Sequence, residues 1–208
     1  MAQRRHHYER AFEGLLRSRR VPYIAVDEAR RTLLPEAARS CPDLGPEGSG
    51  GGGIKNFDFV VYGRDRQLLV DVKGRKVARR SASQTSLWVE STGRLETWVT
   101  EDDVRSLAHW QAMFGSGYEA AFLFLYWWEA QPPDGLFDDV FEQGGRWYAA
   151  RVVRLEDYAA RMTVRSPKWR TVHLSRSDFD RVSTPFRAIG LGVDGNREIG
   201  SGSPALQR

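Results

Sequence analysis

The apolar and polar positions divide the chain into a small set of elements. From His7 to Arg19 the residues Tyr8, Ala11, Phe12, Leu15 and Leu16 recur at the i, i+3, i+4, i+7, i+8 spacing of one helical face, which predicts an amphipathic helix packed on a sheet. Val21 to Val26 is a short β-branched and aromatic run that predicts a first strand, with Pro22 at its edge or start because proline cannot donate to a strand ladder. Phe57 to Tyr62 (FDFVVY) and Leu68 to Lys73 (LLVDVK) predict two more strands, joined as a hairpin by the polar turn Gly63-Arg64-Asp65-Arg66. Leu87 to Val99 predicts another hairpin. Thr100-Glu-Asp-Asp is an N-cap followed by first-turn acids, so a helix should run from there to about Phe114 and stop at Gly115. Glu119 to Trp128 is almost wholly apolar, the pattern of a central strand covered on both faces. Trp147 to Val153 predicts a strand, Leu155 to Met162 a helix and Thr171 to Leu174 a last strand.

This order predicts an α/β fold with a mixed central β-sheet flanked by helices. Residues 35–55 are rich in Pro, Ala, Ser and Gly, too poor in apolar surface to order themselves, and predict a flexible loop inside one domain spanning residues 1–190. Residues 191–208 predict a disordered tail. No internal repeat is visible.

Composition narrows the picture modestly. The chain has 208 residues, 41% of them hydrophobic, enough for one sizeable core. Its net charge of +4 is compatible with a polyanionic partner without requiring one. One cysteine, Cys41, excludes an internal disulfide and a multi-cysteine zinc site. No apolar run approaches a membrane span, and the start of the chain continues into a helix pattern, so the expectation is a soluble, cytoplasmic protein with no membrane partner. The lysines matter more. Among 31 basic residues only Lys55, Lys73, Lys76 and Lys168 are lysine. Arginine cannot give up its proton, whereas the pKa of lysine is tunable, so each lysine is a candidate for chemistry.

The stretch "LLVDVKGRK" carries that chemistry. Strand residues alternate faces, so Leu69, Asp71 and Lys73 share one face, and Asp58, Val60 and Tyr62 share a face of the preceding strand. Paired as a hairpin, the strands bring Asp58 toward Asp71 with Lys73 beside them. Two buried carboxylates repel, and the usual compensation is a cation. Hard oxygen ligands suit Mg²⁺, with Mn²⁺ as a substitute, and a cation so placed with a lysine beside it suggests phosphodiester hydrolysis. The plain alternative is a surface ion pair between Asp71 and Lys73. In the first helix Glu9 and Glu13 stand at i and i+4; Glu13 has Arg17 one turn on and Glu9 has Arg5 one turn back, so solvated salt bridges explain both. Glu9 also borders the apolar stripe, where it could reach over the sheet edge toward the two aspartates.

Together these residues resemble the PD-(D/E)xK nuclease superfamily over roughly Tyr8 to Trp128, which implies a restriction-endonuclease-like core. The resemblance implies that Glu9 is the helix carboxylate, Asp58 the strand acid, Asp71-Val72-Lys73 the last motif, the Val72 carbonyl a further metal ligand and Lys73 the catalytic lysine. It also implies DNA as the substrate and admits a homodimer. Phe57 stands where the superfamily pattern has proline. His7-Tyr8-Glu9-Arg10-Ala11-Phe12-Glu13 is similar to the motif of a bacterial family known as HYExAFE, which implies no activity. The reading from a different class is a non-catalytic nucleic-acid-binding protein that retains the fold.

The segment after the motif, with Arg75, Lys76, Arg79 and Arg80, could track a phosphate backbone; the alternative is a solvated loop. Gln111 is a secondary candidate at the site, as is Glu13. His6 and His7, at a chain start, are expected to be exposed and frayed, and the tryptophans are expected in the core.

Overall fold

In the computed structural model, described here over residues 6–26, 54–64, 66–77, 95–129, 131–132 and 139–186, the apolar patterns assemble a six-stranded sheet with helices on both faces. The elements in chain order are α1 (His6–Ser18), β1 (Tyr23–Ala25), β2 (Phe59–Tyr62), β3 (Gln67–Lys76), β4 (Val99–Thr100), α2 (Glu101–Phe114), β5 (Tyr118–Trp128), β6 (Val140–Gln143), β7 (Arg146–Arg154), α3 (Leu155–Arg161), β8 (Thr163–Ser166), β9 (Thr171–His173) and α4 (Arg176–Val182). The main sheet runs β1-β2-β3-β5-β7-β6, and β4-β9-β8 form a second, three-stranded sheet. Among the described strands of this sheet only β3 and β5 pair in parallel. A parallel pair needs a crossover, and α2 lies in the connection between them. This is the mixed α/β layout, helices flanking a central sheet, that the restriction-endonuclease-like resemblance implies.

The two faces are filled by different helices. Ala11, Phe12, Leu15 and Leu16 of α1 are buried against Phe59, Val61, Leu68 and Val70. Phe12 meets Phe59 and Phe186 edge-on, at 5.2 and 5.1 Å between ring centres, a geometry worth ~0.5–1.5 kcal/mol per pair beyond burial. On the opposite face, Val60, Leu69, Phe122 and Phe124 pack with Leu107 and Trp110 of α2, Tyr158 of α3 and Phe179 of α4. The strand period of two thus sends Leu68, Val70 and Val72 toward α1 and Leu69 and Asp71 toward α2.

Two features position the site. At Gly74 a Cβ would stand 2.2 Å from the Tyr8 ring, so the aromatic start of α1 lies directly on the β3 backbone where only glycine fits. In addition, β2 pairs with β3 only from Gln67 to Val70, whereas β5 accompanies β3 as far as Lys76. Beyond Val70, among the described residues, no strand pairs with the β2 side of β3, which is an open edge of the ladder there.

Some expectations change. The first strand is shorter than read, three residues, and Pro22 precedes it at the sheet edge. His7 is packed, not frayed: it is half-buried, with Nδ1 3.0 Å from the Tyr148 hydroxyl and its ring edge-on to Trp127. Trp128 is buried as expected, while Trp127 is half-buried and flanked by Lys76 and Arg146. The Gly-rich loop up to residue 53, Cys41, the 87–94 part of the second hairpin, Arg79, Arg80 and the tail lie outside the described residues. Among the described residues no helix is long and apolar enough to cross a membrane.

Candidate active site

The hairpin register decides the geometry. Val60 pairs with Leu69, and the ladder continues with the Asp58 N–H donating to the Val70 carbonyl at 2.9 Å. Two residues further along each strand, Asp58 and Asp71 face one another on the α2 side. Asp58 then turns its own Oδ2 to the Val72 N–H at 2.7 Å. Its side chain thereby supplies the acceptor that β2, ending its ladder here, does not.

Asp71 is buried, and its Oδ2 lies 2.8 Å from the Lys73 ammonium, each side chain only 13% exposed. On its other side the ammonium is 3.3 Å from Asp103 Oδ2. Asp103 comes from the first turn of α2, where it closes a capping box: the Thr100 hydroxyl accepts from the Asp103 N–H, and Asp103 Oδ2 accepts from the Thr100 N–H. Asp103 Oδ1 is 2.9 Å from the Lys55 ammonium, which also donates to the Thr100 hydroxyl at 2.9 Å. Lys55 is itself fixed through its main chain, its N–H on Ser106 Oγ and its carbonyl on the Trp110 indole N–H. Asn56 lies against these residues, and its amide nitrogen is buried with no hydrogen-bond partner among the described residues.

The electrostatics follow from burial and pairing. Burial, then the neighbouring Asp71 charge, push the Asp58 carboxyl up to about 7, and Glu9 adds to the repulsion. Burial also raises Asp71, although Lys73 partly offsets it. For Lys73 burial acts downward, but Asp71 and Asp103 more than reverse it and hold the ammonium charged. Asp103 is held well below the usual carboxylate range: burial opposes this, while Lys73, the Thr100 N–H and Lys55 together prevail. Asp71 and Asp103 thus share the Lys73 ammonium, with Lys55 on the far side of Asp103, while Asp58 takes the repulsion of Asp71.

The structure brings together Asp58, Asp71, Val72 and Lys73 as the sequence predicted. Glu9 contributes as a charge felt by Asp58, from a helix on the opposite face of the sheet. Among the described residues no three His, Cys, Asp or Glu side chains converge as a metal-binding group. Glu13 is taken up elsewhere, 2.7 Å from both Arg17 and the Tyr23 hydroxyl. Gln111 is a fastener: its Oε1 accepts the Ala120 N–H at 2.7 Å, two turns along α2 from Asp103. Arg75 departs from its expected role on a phosphate backbone. It is turned inward, stacked 4.2 Å over Trp98, donating to the Gly74 and Trp98 carbonyls and paired with Glu96 at 3.8 Å. Lys76 is half-exposed, paired with Glu129 and lying over Trp127. Sequence reasoning missed Asp103 and Asn56 and singled out Lys55 only as one of four lysines. The scarcity of lysine was the one signal for Lys55.

No family model matches the chain, so its likeness to the HYExAFE proteins stands on the seven-residue motif. No curated protein matches it either. The fold is similar to that of Hjc, a Holliday junction resolvase from the archaeal hyperthermophile Archaeoglobus fulgidus, at 13% identity and a TM-score of 0.47, covering 90% of this chain and 95% of that one. A likeness at that level says nothing of activity.

Proposed function

We propose that the protein is a metal-dependent nuclease that hydrolyses phosphodiester bonds in DNA. The observation that carries this reading is the pair of half-buried Asp58 and buried Asp71, facing across two strands with Lys73 alongside. The donor set fits Mg²⁺ or Mn²⁺. One oxygen of each aspartate is engaged, by the Val72 N–H and by Lys73, which leaves each carboxylate a second oxygen. By strand geometry the Val72 carbonyl lies on the same open edge as its N–H and adds a third hard oxygen; water and substrate phosphate commonly complete such a shell. Asp58, Asp71 and the Val72 carbonyl would hold such a cation, and its chemistry there would be Lewis-acid activation of the phosphodiester and a lowered pKa for a bound water.

The chain's own residues do the rest. Asp58 and Asp71 orient the attacking water and keep like charge concentrated at one point. The Lys73 ammonium donates to the scissile phosphate or to the water and steadies the charge that develops in the transition state. Glu9 adds its charge to the field at Asp58 from the other face of the sheet. Lys76, Arg79 and Arg80, beyond the motif, contact the phosphate backbone, while Arg75 supports the end of β3 from within.

The test is incubation of purified protein with supercoiled plasmid, branched DNA, single-stranded DNA and RNA, each with Mg²⁺, Mn²⁺ or EDTA. Cleavage should require metal and should fall at least about 100-fold in Asp71→Ala/Lys73→Ala. A second reading, a nucleic-acid-binding protein that keeps the fold, is favoured by the full engagement of Lys73 between two carboxylates. It predicts no cleavage on any substrate, with salt-sensitive and metal-indifferent binding by both proteins.

A further inference from the structure

We infer that Asp103 is a positioning residue for Lys73, one that holds the ammonium in place independently of Asp71. This inference deepens the nuclease reading and rests on it for its kinetic consequence. A catalytic lysine paired only with a metal ligand has a conflict built in, because the carboxylate cannot serve the ammonium and a cation equally well. Lys73 is not in that position. Its ammonium has three donors, and besides Asp71 it reaches Asp103 Oδ2 at 3.3 Å.

Asp103 is held by donors that owe nothing to β3. The Thr100 N–H fixes Oδ2 at 2.8 Å and Lys55 fixes Oδ1 at 2.9 Å. Lys55 is tied down by three further contacts, to the Thr100 hydroxyl, to Ser106 and to Trp110. The carboxylate is therefore set by the first turn of α2, whose helix end favours negative charge, and only 11% of its side chain is exposed. When Asp71 turns its charge to a cation, the Asp103 contact keeps the lysine beside the pair. The acid that sequence reasoning assigns to the helix cap thus acts on the neighbouring strand as well.

Two readouts test this. In the metal-free protein, the rate at which an amine-reactive reagent modifies Lys73, followed by mass spectrometry, reports whether the ammonium is held. It should rise severalfold in Asp103→Asn and stay near the starting rate in Asp103→Glu, which keeps the charge. In cleavage assays Asp103→Asn should lower kcat by about 10- to 100-fold with KM changed less than about twofold, as expected for a misplaced catalytic group, and Asp103→Glu should recover part of the loss. Should Asp103→Asn not fold, Lys55→Met leaves the cap intact and should also speed the modification of Lys73. Equal modification rates in the parent protein and in the variants that fold overturn the positioning role. Absence of cleavage by the parent protein overturns the nuclease reading alone, since the modification rates still decide whether Asp103 holds Lys73.

Discussion

At the scale of single residues, the site stores its tension in Asp58. Its carboxyl is pushed up to about 7 by burial and by Asp71, whereas in the unfolded chain it titrates near the ordinary aspartate value. Between those limits the native state binds the extra proton, so this group contributes stability that is lost as pH rises through the window. Asp58→Asn removes the repulsion and keeps an acceptor for the Val72 N–H. In EDTA at pH 8 it should stabilise the protein by ~1–3 kcal/mol, with the gain gone below pH 4; a thermal melt across pH decides it, and an unchanged difference at all pH values would remove repulsion as the cause. Of the site residues, Asp58, Asp71 and Lys73 were legible because strand alternation and one hairpin suffice to bring them together. Asp103 was not, since an acid in the first turn of a helix is fully explained by the cap, and its approach to Lys73 depends on how α2 docks on the sheet. Arg75 misled for the opposite reason: the alternation that exposes a basic run after a strand fails when β3 continues to Lys76 and Trp98 covers the arginine.

At the scale of elements, two glycines that look alike in sequence have different duties. Gly14 lies inside α1, and a Cβ there would meet the end of the Gln143 side chain, which can swing away. Gly14→Ala therefore gains helix propensity of up to ~1 kcal/mol against a small displacement and should leave the melting temperature nearly unchanged or slightly raised. Gly74→Ala drives a methyl group into the Tyr8 ring; it should destabilise by ~1–3 kcal/mol and lift the start of α1, and with it Glu9, off the sheet. Circular dichroism melts of the two variants make the comparison, and equal effects would mean that Tyr8 yields easily. The long elements were legible: the α1 stripe, the β2–β3 hairpin, the capped α2 and the apolar β5 each carry their own period. The sheet β4-β9-β8 was not read as such, because its strands have two to four residues and Val99 pairs with Val172 from far along the chain.

At the scale of the whole molecule, the proposed contact of half-exposed Lys76 with a phosphate backbone predicts DNA binding that salt weakens. Lys76→Ala should reduce the slope of log affinity against log salt by about one without changing sequence preference, as measured by fluorescence anisotropy on labelled DNA. The sheet itself has a step in it, where β2 stops and β3 goes on, and at that step the Asp58 carboxylate takes the place of a main-chain acceptor for the Val72 amide. One backbone proton is therefore wired to the charge state of the entire site. In an NMR spectrum the Val72 amide resonance should move when Asp58 gains a proton and, if the proposed site takes up a divalent ion, move again when one is added, so that a single peak tests metal binding with no substrate present.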